Sequence, residues 1–281
     1  MSAEELGFRP LRKDERTSWS KPSHFSFLDQ MERVPLADSE LLQTSHYLPI
    51  LIERRGAVLD VVAGVGSFLQ RQPLVDPEQR WLRFYMPLYL KCLPFTLDLP
   101  VLSPQEQLRI AVSDRLLREA EGDLNVMFEP SGAPSRALAD TVKMLKHLQN
   151  GICKLREAAE LLYLADLLMP IDVSFKQGGD VLVVDAEKLS AFSAGRCVPL
   201  VRGGLLPSQL MFAMLFSRRM LAGTLGVSVH RPAQQVHKQQ DVAAPAAPDP
   251  FSALFSGLEN LDFAMDESDL VPIEPLSEAR E

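Results

Sequence analysis

Residues 134–169 read PSRALADTVKMLKHLQNGICKLREAAELLYLADLLM, and apolar side chains recur in this stretch every three or four positions. Those positions are Leu138, Val142, Leu145, Leu148, Ile152, Leu155, Ala159 and Leu162. This spacing predicts a long helix with one buried face. Gly151 lies inside the pattern and costs the helix about 1 kcal/mol relative to alanine. It therefore either divides two helical pieces or allows another segment to approach closely.

Two β-hairpins are predicted, one on each side of this helix. Residues 46–53 and 57–63 are apolar runs joined by a turn that contains Gly56. Residues 171–175 and 181–185 flank a second turn, in which we expect Gly178 and Gly179 to supply positive φ angles. Each pair of runs is typical of two antiparallel strands.

Three further segments have apolar residues at helical spacing, namely residues 36–44, residues 81–93 despite Pro87, and residues 207–221. Together with the hairpins they indicate an α+β fold. We expect a single domain over residues 33–228, in which two or more β-hairpins pack against several helices.

The ends of the chain differ in composition from this domain. Residues 1–32 are polar and interrupted by prolines, which predicts an irregular N-terminal arm that Trp19, Phe25 and Phe27 could anchor. Residues 229–248 are rich in Gln, Pro and Ala and are typical of a flexible linker. Residues 249–281 form an acidic tail, which we expect to be mostly disordered apart from one short amphipathic helix.

The predicted tail helix has apolar residues on one face, as in peptides that bind a groove of another protein. The docking candidates are Phe251, Leu254, Phe255, Leu258 and Leu261. The tail could also fold back onto its own domain, but the long linker favours an external protein partner.

Charge is distributed unevenly along the chain. The net charge is −8, and residues 241–281 contain ten acidic residues and a single arginine, so the preceding 240 residues carry only +1. A nucleic-acid-binding surface needs clustered excess basic residues, and we therefore expect no nucleic-acid partner. The basic pairs Arg54-Arg55 and Arg218-Arg219 are more typical of solvated faces or ion pairs than of phosphate sites.

Cysteine and histidine residues are isolated from one another. Cys92, Cys153 and Cys197 form no Cys-x-x-Cys pair and have no histidine at metal-ligand spacing. We expect reduced thiols, no metal site and no cofactor.

The N-terminal residues contain no apolar segment typical of a secretory signal, and no apolar run approaches the roughly 20 residues of a transmembrane helix. A cytoplasmic location without a transmembrane segment is therefore expected.

No arrangement of residues indicates a catalytic site, and the catalytic residues stay unknown. A small-ligand pocket between the first hairpin and the Trp81 segment would use polar and aromatic side chains. Its candidates are Glu40, His46, Tyr47, Trp81, Tyr85 and Tyr89. The same aromatic spacing is also what core packing requires, and core packing is the favoured interpretation.

Several motifs resemble those of the SapC family. They are Val34-Pro-Leu, Glu40 and Tyr47-x-Pro-Ile-Leu-Ile, then Trp81-Leu-x-x-Tyr-x-Pro-x-Tyr-Leu-x-x-x-Pro-Phe95, then Gly179-x-x-x-Val-Val-Asp-Ala-Glu-Lys-Leu189, and finally Gly204-Leu-Leu-Pro. The resemblance covers residues 33–221. It fails at residues 111–118, which stand where the family has an acidic turn and an Asp-rich patch. It implies an association with the bacterial surface layer or with outer-membrane nutrient uptake, and it carries no catalytic residues.

The leading hypothesis is therefore a non-enzymatic accessory or scaffold protein with a C-terminal protein-docking tail. The alternative is an enzyme or small-ligand-binding protein that uses the pocket between the first hairpin and the Trp81 segment. Because no signal sequence is evident, the implied surface association favours either an intracellular accessory or a non-classical export route.

Overall fold

The computed structural model describes residues 6–13, 15, 17–98, 108–120, 123–175, 178–191, 200 and 203–221. The predicted linker and acidic tail lie outside these residues. The docking candidates Phe251, Leu254, Phe255, Leu258 and Leu261 therefore stay sequence-based predictions.

The described residues contain eight strands and six α-helices. The strands are β1 (Phe8–Pro10), β2 (Arg33–Pro35), β3 (Ile50–Arg55), β4 (Val58–Gly64), β5 (Phe95–Leu97), β6 (Ile110–Ser113), β7 (Leu168–Ser174) and β8 (Asp180–Val184). The helices are α1 (Leu41–Ser45), α2 (Leu88–Cys92), α3 (Asp114–Arg118), α4 (Arg136–Leu164), α5 (Ala186–Ser190) and α6 (Leu206–Ser217). This combination of helices with antiparallel sheets confirms the α+β prediction.

Five antiparallel strands form the larger sheet, in the order β2-β4-β3-β8-β7. Both predicted hairpins are confirmed, since β3 pairs with β4 and β7 pairs with β8. Gly56 in the first turn has a φ of +61°, a value that glycine adopts without steric cost. The two hairpins join edge to edge because Ile52 of β3 pairs with Leu182 of β8.

The second hairpin turn uses its glycines differently from the prediction. Neither Gly178 nor Gly179 has a φ in the left-handed region. A Cβ atom at Gly179 would instead lie 1.6 Å from the carbonyl oxygen of Arg54. Glycine is required here because the neighbouring strand passes too close for any side chain.

Residues near the N-terminus belong to a second, three-stranded sheet with the order β1-β6-β5. Trp19 is 2% exposed, and its ring packs edge-on against Phe95 with 4.8 Å between centroids. Leu6, Phe27 and Met31 are also buried. The described part of residues 1–32 is thus built into the core, whereas the sequence predicted an irregular arm with three aromatic anchors.

The prediction of a helix over residues 81–93 is wrong for residues 81–87. Only Leu88–Cys92 is helical, and Pro87 is the residue that precedes the helix. Proline has no N–H group for the helical ladder, and it disfavours the α conformation in the residue before it. Trp81 instead pairs with Val75 in an antiparallel bridge.

The long helix is confirmed as one continuous element, α4. It begins after Ser135, whose hydroxyl oxygen accepts a hydrogen bond from the backbone N–H of Leu138. Gly151 does not divide the helix. A Cβ atom at this position would lie 2.6 Å from the Cα atom of Ala37 and 2.7 Å from the backbone nitrogen of Asp38. The close-approach interpretation of Gly151 is therefore the right one.

The core lies between α4 and the five-stranded sheet. Leu145, Leu148 and Leu155 of α4 are fully buried in one cluster with Ile50 and Ile52 of the sheet. Helix α6 packs against both α4 and α1. Its position is fixed at the C-terminal end by Ser217, whose hydroxyl oxygen accepts a hydrogen bond from the N–H of Ile50. The packing therefore places α1 and α6 side by side at the surface.

Replacing Gly151 with alanine is expected to destabilise the protein, although alanine is the better helix former. The added methyl group would clash with residues 37–38, and we expect the free energy of unfolding to fall by about 1–3 kcal/mol. Urea denaturation measures the effect. The matched control is Asn150→Ala on the same helix, which should leave stability unchanged or raise it slightly. Equal or higher stability of Gly151→Ala would contradict the close approach.

Candidate functional site

The predicted pocket residue Glu40 is a buried carboxylate with three hydrogen-bond donors. It ends the short 3₁₀ turn before α1 and is 4% exposed. Its Oε2 atom accepts a hydrogen bond from the N–H of Ala37 at 2.9 Å. Its Oε1 atom accepts bonds of 2.5 Å from the Tyr85 hydroxyl and from the N–H of Leu88. These donors compensate the cost of burying the carboxylate and connect the start of α1 to the start of α2.

Tyr85 is held in its neutral form by this environment. Burial, followed by the negative charge of Glu40 and the hydrogen bond to it, raises the pKa of Tyr85 well above its ordinary value. The hydroxyl therefore acts as a hydrogen-bond donor to Glu40. The structure thus brings Glu40 and Tyr85 together, but Glu40 is satisfied by Tyr85 and by two backbone N–H groups.

The other two aromatic candidates near Glu40 pack against the core, with Tyr89 buried and Trp81 half-buried. Tyr89 is buried, and burial raises its pKa. Trp81 donates its indole N–H to the carbonyl oxygen of Tyr85 at 3.1 Å, and its ring lies 5.9 Å from the ring of Phe25. These contacts are those of a packed core.

His46 and Tyr47 lie at a different place, a surface cleft of about 450 Å³. The His46 ring packs edge-on against Phe216 of α6, with 4.8 Å between ring centroids. Thus the six predicted pocket residues separate into an interior group around Glu40 and a surface pair.

Three arginines complete this surface cleft, which we call the arginine cleft. The lining residues are His46, Tyr47, Gln70, Arg71, Gln72, Arg83, Arg219 and Met220. They come from the end of α1, from residues 70–83 and from the end of α6. Backbone contacts hold the last two together, since the N–H of Arg71 donates to the carbonyl of Met220 and Gln70 pairs with Leu221.

Sequence reasoning missed the arginine cleft as a site. In the sequence, Arg219 is half of an isolated basic pair, and Arg71 and Arg83 belong to no basic cluster. The three residues meet only because the segment after β4 runs antiparallel to the end of α6. No local signal in one sequence reports a contact over such a separation.

An exposed apolar face borders the arginine cleft, and we call it the α1–α6 face. It consists of Leu42 on α1, which is 62% exposed, and of Phe212 and Phe216 on α6, which are 60% and 40% exposed. Leu42 and His46 are four residues apart, as are Phe212 and Phe216, so each pair lies on one side of its helix. The Leu42–His46 pair and the Phe212–Phe216 pair lie beside each other because α1 packs against α6.

The described residues contain neither a metal-binding cluster nor a membrane-spanning helix. In that part of the chain, no group of three His, Cys, Asp or Glu side chains could hold a metal ion. Likewise, none of the described helices is both long and apolar enough to cross a membrane.

Replacing Glu40 with glutamine should destabilise the fold, because one carboxylate oxygen becomes an NH₂ group that cannot accept a hydrogen bond. We expect the free energy of unfolding to fall by about 1–3 kcal/mol, with a smaller loss for Tyr85→Phe, which removes a single donor. Urea denaturation measures both. The matched control Glu78→Gln alters an exposed ion pair and should change stability by less than about 0.5 kcal/mol. Equal effects of Glu40→Gln and Glu78→Gln on stability would contradict the role of Glu40 as a buried hydrogen-bond acceptor that stabilises the fold.

Cys92 should be unreactive while the protein is folded. Burial, reinforced by the nearby charge of Glu40, raises the pKa of its thiol to about 12, so almost no thiolate is present at pH 8. We expect iodoacetamide to label Cys92 at least about 100-fold more slowly in buffer than in 8 M urea, where the thiol regains a pKa of roughly 8.5. Mass spectrometry of the digested protein measures the rate. Similar labelling rates under the two conditions would rule out a closed interior.

Comparison with known proteins identifies the family of this chain. No curated protein and no solved structure shows significant similarity to it. The SapC family model matches residues 13–222, which are 210 of the 281 residues and include all described strands and helices except β1. The match begins earlier than the resemblance noted in the sequence, in agreement with the burial of Trp19 and Phe27. The chain therefore belongs to the SapC family.

Proposed function

We propose that this SapC-family chain is a non-enzymatic accessory or scaffold protein that acts by binding other proteins. The observation that supports this function best is the α1–α6 face. Helix α6 reads LPSQLMFAMLFS and is apolar on nearly every side. A helix of this composition is normally covered all round, whereas here Phe212 and Phe216 stay exposed beside Leu42. Contiguous exposed apolar side chains of this kind are typical of protein-binding surfaces.

The interior supports a binding role rather than catalysis. The buried groups most capable of chemistry are engaged with one another, as shown by Glu40 with Tyr85 and by Glu53, whose Oε2 atom lies 2.6 Å from Nε of Arg33. Cys92 is buried and protonated. Among the described residues, these groups are therefore used to stabilise the fold and are poorly placed to meet a substrate.

The acidic tail is proposed to supply a second protein contact. Its apolar residues from Phe251 to Leu261 follow a helical pattern, and its charge would keep such a segment in water until a partner covers it. The proposed partner is therefore a protein with an apolar groove.

The proposed setting follows from the family and from the cysteines. The SapC resemblance carries the expectation of a role in the bacterial surface layer or in outer-membrane nutrient uptake. Cys92 is a buried free thiol, which is typical of a reducing compartment. We propose that the chain acts in the cytoplasm, as an accessory to that surface process.

Affinity purification of the tagged full chain from its native host tests the binding role. Two changes are compared with the unaltered chain, namely deletion of residues 241–281 and the double substitution Phe212→Ser with Phe216→Ser. We expect each change to lower the recovery of the bound protein at least fivefold, because each removes apolar contacts that a partner would bury. Mass spectrometry quantifies the recovery.

The matched control is Leu124→Ser, which makes an equivalent apolar-to-serine change at a side chain that is 56% exposed and is not part of the α1–α6 face. It should leave recovery unchanged. If the deletion and the double substitution recover the same proteins in the same amounts as the unaltered chain, neither surface binds a partner and the proposed function is wrong.

A further inference from the structure

The arginines of the arginine cleft differ from most others in the described chain because they have no carboxylate partner. Elsewhere, Arg9, Arg80 and Arg156 each have a guanidinium nitrogen 2.7–2.8 Å from a carboxylate oxygen. In the part of the chain that the structure describes, no carboxylate lies within ion-pair distance of Arg71, Arg83 or Arg219. No acidic residue lines the cleft either.

Three positive side chains around one cleft repel one another, and no carboxylate among the described residues lies close enough to compensate this repulsion. The rest of the domain does not share this excess, since residues 1–240 have a net charge of only +1. The positive potential is therefore local to the cleft. A local excess of this kind attracts negatively charged ligands.

Two of the arginines are held in place before any ligand binds. The Arg219 guanidinium stacks on the ring of Phe216, with its central carbon 3.7 Å from the ring centroid. Stacking uses the flat face of the guanidinium and leaves the N–H groups at its edge available. Arg83 donates one hydrogen bond to the side-chain oxygen and one to the backbone oxygen of Gln72, each 3.1 Å long. Pre-positioned donors lower the entropy cost of binding.

Arg83 also retains an unused donor. Its Nε atom is inaccessible to water and has no hydrogen-bond partner in the described structure. A buried N–H group without a partner is unfavourable, and a ligand acceptor reaches it only if the Arg83 side chain shifts on binding.

We propose that the arginine cleft binds a polyvalent oxyanion, meaning a ligand with two or more carboxylate or phosphate groups. Guanidinium groups match both kinds of oxyanion through paired N–H donors. The volume of about 450 Å³ is larger than one acetate or phosphate ion needs. Tyr47 and Met220 provide a less polar wall for the body of the ligand.

The oxyanion site goes beyond the proposed protein-binding role and does not depend on it. The α1–α6 face could lack a partner while the cleft still binds an anion, and the reverse also holds. The two hypotheses are distinguishable because anion binding is measured on the purified chain, whereas partner binding is measured in a cell extract.

Isothermal titration calorimetry on the full chain tests the site, in a chloride buffer of constant ionic strength. The probes are citrate, pyrophosphate and a tetraglutamate peptide, which separate a free polycarboxylate, a polyphosphate and a protein carboxylate as the source of the anion. Acetate is the monovalent reference. We expect at least one polyvalent probe to bind at least tenfold more tightly than acetate, and the tightest probe identifies the source.

Arg71→Gln and Arg219→Gln should each weaken that binding at least fivefold. The matched control is Arg218→Gln, which makes the same change in charge at the adjacent residue but does not line the cleft. It should alter the affinity less than twofold. Equal losses in all three variants would show a general charge effect and overturn the site, as would the absence of binding by every polyvalent probe.

A second measurement needs no variant and therefore no assumption about folding. Phenylglyoxal modifies accessible arginines, and mass spectrometry gives the rate at each residue. A saturating amount of the bound probe should slow the modification of Arg71 and Arg219 at least threefold, while Arg218 stays unaffected. Unchanged rates at Arg71 and Arg219 would overturn the proposal.

Discussion

The buried carboxylate of Glu40 is the interaction on which the geometry of the candidate surfaces depends. Placing a charge in the interior costs several kcal/mol unless donors replace the water it loses. Ala37, Tyr85 and Leu88 supply three such donors, from both sides of the β3–β4 hairpin in the sequence. The same segment is confined on its other side, where Ala37 touches Gly151 of α4. The start of α1 is thereby fixed, and α1 carries Leu42 and His46 to the surface.

The elements that the sequence predicted well are those whose evidence is local. Helix α4, helix α6 and the two hairpins follow from residue periodicity and turn residues within a single segment. The elements it missed depend on distant partners. Strand β1 exists because Phe8 pairs with Ser113, and the Trp81 segment is extended because Trp81 pairs with Val75. Neither pairing has a periodic signal, so propensity alone suggested an arm and a helix.

The candidate site was only partly predictable, for a related reason. Glu40 and Tyr85 were both ligand-pocket candidates, but a sequence does not tell whether two polar groups satisfy each other or open to solvent. His46 lies only six residues after Glu40, yet α1 directs it to the surface against Phe216. The arginine cleft was missed because Arg71 and Arg219 are 148 positions apart in the chain.

The paired charges of the interior and the arginines of the cleft have different explanations. In and near the interior, carboxylates are matched by specific donors, as Glu53 is by Arg33 and Asp60 is by Arg156. An unmatched buried charge would destabilise the protein by several kcal/mol, so these pairs follow from folding alone. An exposed arginine needs no partner to satisfy the fold. Among the described residues, three arginines without a carboxylate partner gather at one cleft, and Phe216 and Gln72 hold two of them in place. Folding alone does not require this arrangement, and it is the basis of the proposed oxyanion site.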